Sequence, residues 1–300
     1  MYVNYLDYDV LAHAFGPQSR PAVRALRRVD RAIHQLWRVV RRVPEHRYDV
    51  YILADHGKAP CRSFRDIAGG RRLERWIVEH LVEPSTVAGT GGGRRSGLLR
   101  GIGARRRESP GPVQHFLNYL DEDFLRNRDP EAYKRDGFRA IAAGLNAFLY
   151  VLDAPEPLDA DALERRLPGL AEELSRSAGA GFGLARSADG PVCFWRGKRH
   201  QLGDDDPGPF AGRPDAGVAL DGIAELMAMP SIGDLVIYGI DAPGGHVSFI
   251  PERGAHAGPS PEEMQTFVLR PPHVSVPLPL RHPVQLYEHF IRYGRADGDG

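Results

Sequence analysis

Five residues of this chain have types and spacings suited to metal chemistry. Asp9 and His13 form a D-x-x-x-H in YLDYDVLAHAFGP, Asp55 and His56 are adjacent in YDVYILADHG, and His256 sits in Gly254-Ala255-His256-Ala257-Gly258. The small neighbours of His256 permit close approach of another chain segment. Two carboxylates and three imidazoles make a hard-to-borderline donor set, suited to zinc, with manganese or iron as possible occupants and calcium a poor one. No thiolate joins the set, which favours a catalytic over a structural centre. Two such ions about 4 Å apart can clamp the attacking and leaving oxygens of phosphoryl or sulfuryl transfer. Of the 12 histidines, most need no special role: His34 lies in the Arg-rich helix, His80 in another helix and His289 near the C-terminus.

The elements that must present these residues can be read from periodicity. The opening run through Asp9 reads as a buried strand with the carboxylate at its C-terminal end. Ser19 then caps a helix with Pro21 in its first turn and Val23, Leu26, Val29, Ile33, Leu36, Val40 and Val43 at three- and four-residue steps. YDVYIL is a second short apolar run ending at Asp55-His56-Gly57, so strand, helix and strand predict a parallel crossover with ligands at both strand ends. Leu73, Trp76, Ile77 and Leu81 continue as a second amphipathic helix.

Residues 85–112 are too rich in Gly and Arg to bury a core and predict a flexible surface loop. Its six arginines between Arg94 and Arg107 could touch anionic lipid or polynucleotide, but a disordered excursion is the favoured reading, and no Lys-Ser or Lys-Thr follows its glycines as a phosphate loop requires. Helical patterns follow over Phe116–Leu125 and Ala132–Ile141, then a strand in AFLYVLD. A helix from Ala162 to Leu174 is interrupted at Pro168-Gly169, and GFGLARSADGPVCFWR predicts a hairpin turning at Asp189-Gly190. The last pieces are a helix over Val218, Ile223 and Leu226, strands in SIGDLVIYGID and HVSFI, and the His256 segment.

Composition narrows the classes. Lys plus Arg equals Asp plus Glu at 39 each, so no global charge pulls the chain to nucleic acid, and no nucleic-acid partner is indicated. Lysine occurs only at Lys58, Lys134 and Lys198. Cys61 and Cys193 form neither a disulfide framework nor a C-x-x-C. The sequence contains neither a signal-peptide pattern nor an apolar stretch near the roughly 20 residues of a membrane span, and it assigns no compartment.

Taken in order, YLDYDVLAHAFGP, the Arg-rich helix with Leu26-Arg27-Arg28-Val29-Asp30, YDVYILADHG and GAHAGPSPEEMQTFVLRPP resemble the alkaline phosphatase superfamily. The nearest branch is that of type I phosphodiesterase/nucleotide pyrophosphatase-like proteins. The resemblance spans about residues 2–82 and 218–275. It implies an α/β fold whose mostly parallel sheet is sandwiched by helices. Residues 1–82 and 218–290 would form the metallohydrolase core, with 83–217 as an inserted accessory segment.

It further implies a metal-dependent phosphoric ester hydrolase acting on small phosphoesters. Asp9, His13 and His256 would hold one zinc, and Asp55 and His56 would hold a second. In the family a further Asp and the nucleophilic Thr or Ser lie N-terminal to the D-x-x-x-H. The eight residues before Asp9 hold no counterpart, so the chain is expected to lack the family's N-terminal strands, and no catalytic nucleophile is assigned. Ser63 and the Asp204-Asp205-Asp206 run are the polar substitutes, and neither has supporting spacing. The alternative expectation is a noncatalytic metal- or phosphate-binding remnant of such an enzyme.

Overall fold

The structure, a computed structural model, describes residues 2–79, 137–276 and 278–292. The Gly/Arg-rich loop at 85–112 and the helical pattern at Phe116–Leu125 lie outside the described residues. Helices and strands are mixed, and the largest sheet is antiparallel throughout. It contains β4 (Phe138–Ala143), β5 (Asn146–Val151), β6 (Phe182–Ala185), β7 (Val192–Trp195), β8 (Lys198–Gln201) and β9 (Leu235–Tyr238), in the order β4-β5-β9-β6-β7-β8. The expected mostly parallel sheet is therefore corrected. The apolar run in β9 does report burial on both faces, since all four of its residues are buried. Such a run says nothing about strand direction, which is set by β9 pairing antiparallel with both β5 and β6.

Alternation along the strands divides the core. Leu149, Phe194, Leu235 and Ile237 pack on one side with Leu163, Leu170 and Leu174 from α5 (Ala160–Arg166) and α6 (Leu170–Arg176). Phe182, Leu184, Val236 and Tyr238 face the other side, against Phe210 and against Ile223 and Met227 of α7 (Ala216–Met227). The expected break at Pro168-Gly169 is present: α5 ends before it, and Gly169, at φ 73°, starts α6. The hairpin at Asp189-Gly190 joins β6 to β7 with Phe182 opposite Trp195. Ile141, expected to be helical, instead lies in β4 opposite Phe148.

The N-terminal part departs further from expectation. The opening run forms no strand, because Asp7–Phe15 is a helix, α1, with Asp7 and Asp9 in its first turn, where carboxylates suit the helix dipole. A turn leads to α2 (Arg20–Val40), where the expected Ser19 cap is found: its Oγ accepts the Ala22 N–H at 3.3 Å. Ala22 and Ala25 are the buried residues of α2, whereas Val23, Leu26, Trp37 and Val39 are exposed.

YDVYIL contributes only the two-residue β1 (Ile52–Leu53), paired antiparallel with β12 (Val268–Leu269). The expected parallel crossover is thus corrected as well. Four further short strands carry the connections that matter for the candidate site: β2 (Ala59–Pro60), β3 (Arg62–Ser63), β10 (Val247–Ser248), which pairs in parallel with β3, and β11 (Gly254–Ala255); the expected second amphipathic helix is α4 (Leu73–Ile77).

One buried carboxylate ties the central strand to its surroundings. Asp234, next to β9, accepts the Val151 and Leu158 N–H groups at 2.7 Å each and pairs with Arg186 at 3.3 Å. Asp234→Ala would strand one buried donor, one half-buried donor and a guanidinium, so we expect a loss of about 3–5 kcal/mol in urea unfolding. Asp234→Asn, which keeps one acceptor oxygen, should lose less. Equal, small losses in both would show that the sheet does not depend on this carboxylate.

Candidate metal centre

Four histidine and aspartate side chains converge from three distant stretches of chain. Helical spacing places Asp9 and His13 on one face of α1, with His13 Nε2 3.6 Å from Asp9 Oδ1. The second stretch, Asp55-His56-Gly57-Lys58, leads into β2, and the third, Glu252 to Gly258, contains β11. Antiparallel pairing of β2 with β11 matches Ala59 to Ala255 and Pro60 to Gly254, which brings His56 and His256 to the same end. The Arg253 N–H donates to the His13 carbonyl at 2.7 Å, tying α1 to the third stretch.

Two glycines make this closeness possible. A Cβ on Gly254 would lie 2.5 Å from the Ala12 carbonyl oxygen, and one on Gly57 would lie 1.9 Å from the Glu262 carbonyl oxygen. The Gly57 N–H also donates to the Glu263 carbonyl at 2.8 Å. The antiparallel sheet supports the same place from below: Asn146, at the start of β5, donates its amide to the Ala257 carbonyl at 2.9 Å.

The resulting geometry gathers Asp9, His56 and His256, whose candidate ligand atoms all lie within 4.8 Å of one another. His256 Nε2 is 3.8 Å from Asp9 Oδ1, its ring stacks on His56 at 3.8 Å between centroids, and His13 lies edge-on to it at 5.0 Å. Asp55 stands apart: its side chain is 85% exposed, with Oδ1 3.6 Å from His56 Nε2. His56 is therefore shared between the Asp9 group and Asp55, whereas the family resemblance grouped it with Asp55 for a second ion.

Outer partners fix which nitrogen each imidazole presents. His13 Nδ1 is 2.5 Å from Glu252 Oε2, and His56 Nδ1 is 2.9 Å from the Gly57 carbonyl, so Nδ1–H is the donor in each. The Nε2 lone pairs are then the ones available to a cation. Glu252 is almost completely buried, and its other oxygen accepts the Ser248 hydroxyl at 2.5 Å.

Electrostatics agree with a cation-binding role. Burial, followed by the adjacent His56, Lys58 and His13, pushes His256 down to about 4, so its imidazole is neutral and able to donate a lone pair at pH 7. Burial alone would raise the Asp9 carboxyl. The hydrogen bond and charge of Lys58, with His13 and His256 beyond, outweigh burial and hold it below the usual carboxylate range. Burial likewise pulls Lys58 down, and its contact with Asp9 opposes the fall.

An ionised carboxylate beside the neutral His256 ring and two imidazoles oriented by outer partners fits a divalent ion of the zinc type. Ser63, one substitute considered for a nucleophile, is buried and spends its Oγ as the cap of α3 (Phe64–Ile67), accepting the Arg65 N–H. Asp206 instead pairs with His200.

The family comparison addresses the same residues. Residues 1–145 match the model of the family type I phosphodiesterase / nucleotide pyrophosphatase. This stretch is phosphodiesterase-like. The match covers just under half of the chain and includes Asp9, His13, Asp55 and His56, whereas His256 lies beyond it and joins the group through the fold. It agrees with the alkaline phosphatase superfamily resemblance, a family typically metal-dependent and acting on small phosphoesters. No curated protein and no solved structure matches the chain. Among the described residues, no helix is long and apolar enough to cross a membrane.

Sequence reasoning missed Glu252 and Lys58. Lys58 directly follows the quoted Asp55-His56-Gly57, and Glu252 stands two residues before Gly254, but a carboxylate behind a histidine carries no signal until the chain folds.

Two outcomes test this arrangement. Glu252→Gln should weaken zinc binding about 10–100-fold in a chelator competition, the usual effect of losing a partner that orients a ligand; unchanged affinity would leave Glu252 a packing residue. The second concerns pH. His256 titrates near 6.5 when unfolded and at about 4 when folded, so on acidification the unfolded chain takes up this proton first. Its contribution to stability is complete above about pH 6.5 and drains away toward pH 4. In the metal-free protein, the fall in melting temperature between about pH 7 and pH 4.5 should therefore be smaller in His256→Gln than in wild type. An identical fall would contradict this assignment.

Proposed function

We propose that this chain is a divalent-metal-dependent phosphoric ester hydrolase, with Asp9, His13, His56 and His256 forming its metal centre and Asp55 at its open edge. The observation that carries the reading is the convergence of Asp9, His56 and His256 from separate segments, within a chain whose first half matches a phosphodiesterase family. When bound, a divalent ion of this kind polarises a phosphoryl oxygen and lowers the pKa of water.

The chain's own residues supply the conditions. Asp9 offers an anionic oxygen that Lys58 keeps ionised. Glu252 holds His13 from behind, and the Gly57 carbonyl holds His56, so neither ring must reorganise as charge develops. The low proton affinity of His256 keeps its lone pair available through the neutral range. Asp55, the most exposed member, is placed to meet an incoming ligand or its counter-cation. Zinc suits the imidazole-rich set best, and manganese or iron would be accepted by the same donors. A small phosphoester is the substrate class that fits the family and the centre together.

The test is hydrolysis of bis(p-nitrophenyl) phosphate by the metal-stripped chain with and without added zinc. Turnover should require the metal and fall at least about 100-fold in His256→Ala, as expected when an essential ligand is removed. Metal-independent turnover, or equal rates in the two proteins, would overturn the proposal. Zinc binding without hydrolysis would favour the alternative, a noncatalytic metal- or phosphate-binding protein.

A further inference from the structure

Lys58 is one of three lysines in the chain, and it sits where a lysine is costly. Its side chain is only 4% exposed, and its ammonium donates to Asp9 Oδ1 at 2.5 Å and to the Asp9 backbone carbonyl at 3.2 Å. Taking an ammonium out of water is unfavourable unless an anion lies against it, so the position selects for the pair and not for lysine's apolar stem. The anion it neutralises is the carboxylate that groups with His56 and His256.

The possible ligands are also unevenly shared. Asp9, His56 and His256 surround one position, and His13 borders it. Asp55, exposed at the rim, has His56 as its imidazole neighbour, and that ring already faces the Asp9 group. Among the described residues, this donor set surrounds one coordination site and leaves a single exposed carboxylate for another. Positive charge beside Asp9 is instead supplied covalently, by the chain.

We propose that the Lys58 ammonium is a built-in second cation of this centre, neutralising Asp9 beside one divalent ion and limiting the site to that ion. The inference rests on the metal-centre reading above. In the metal-free protein Lys58 spares Asp9 an unpaired charge; when an ion arrives, the ammonium competes for the same oxygen and repels the newcomer. Removing it should tighten metal binding while weakening the metal-free fold, whereas a purely structural lysine would weaken both.

The experiment is a zinc titration of the full metal-stripped chain by isothermal calorimetry, with Lys58→Met, Lys58→Gln and His256→Ala beside wild type. Wild type should bind one zinc per chain. Both Lys58 variants should bind zinc about tenfold more tightly or take up a second ion, and should melt lower than wild type without zinc but recover when zinc is added. If they fail to fold without metal, recovery of folding in zinc counts for the proposal and failure to recover counts against it. Wild-type affinity and stoichiometry in both variants, or two ions in wild type, would overturn it. Zinc binding that is lost in His256→Ala but unchanged in the Lys58 variants would discard the Lys58 inference and keep the metal centre. Zinc content equal in wild type and His256→Ala would remove the metal-centre reading itself.

Discussion

The antiparallel exchange between Ala59-Pro60 and Gly254-Ala255 is the constraint on which the rest of the centre depends. It joins residues nearly 200 positions apart in sequence, and it works only because Gly254 lets the backbone of α1 come against it. Once that contact forms, the Arg253 N–H reaches the His13 carbonyl, Glu252 meets the His13 ring, and His256 stacks on His56. Each is a short-range interaction that neither segment could make alone. The entropy of closing so long a loop is recovered through several buried polar contacts formed together, so the donors should come together as one unit.

Buried charge is balanced locally throughout this region. Glu252 is shared between a hydroxyl and an imidazole, Asp9 between an ammonium and two imidazoles, and Glu263 between the Ser260 hydroxyl and the Gly258 amide. Glu263 is raised by burial, which its hydrogen bonds partly offset. It closes a capping box at α8 (Pro261–Met264), fixing the turn that follows His256. The sheet then acts as the platform: the β4–β5 turn at Gly144 lies 3.1 Å, measured from an added Cβ, from the His256 carbonyl oxygen.

Local signals in the sequence were those that local physics enforces. The Ser19 cap with Pro21 behind it, the break at Pro168-Gly169 and the hairpin at Asp189-Gly190 each depend on a few adjacent residues, and each is present. The D-x-x-x-H spacing was legible for the same reason, although its carrier is a helix and not the end of a strand. Strand direction was not legible. LVIY is buried on both faces whether its neighbours run parallel or antiparallel, and the choice belongs to the β4–β5 and β6–β7 hairpins that flank it. Glu252 and Lys58 were invisible as partners because their roles arise from contacts across the fold, 239 residues apart for Glu252 and His13 and 49 for Lys58 and Asp9.

The central claim is that side chains from the first and last thirds of the chain share one cation. X-ray absorption at the zinc edge of the zinc-loaded protein reads this directly. The account predicts a shell containing at least two imidazole nitrogens at about 2.0–2.1 Å together with carboxylate oxygen, and the loss of one imidazole in His256→Ala. A shell of water and carboxylate oxygens without imidazole, or a spectrum that His256→Ala leaves unchanged, would contradict it.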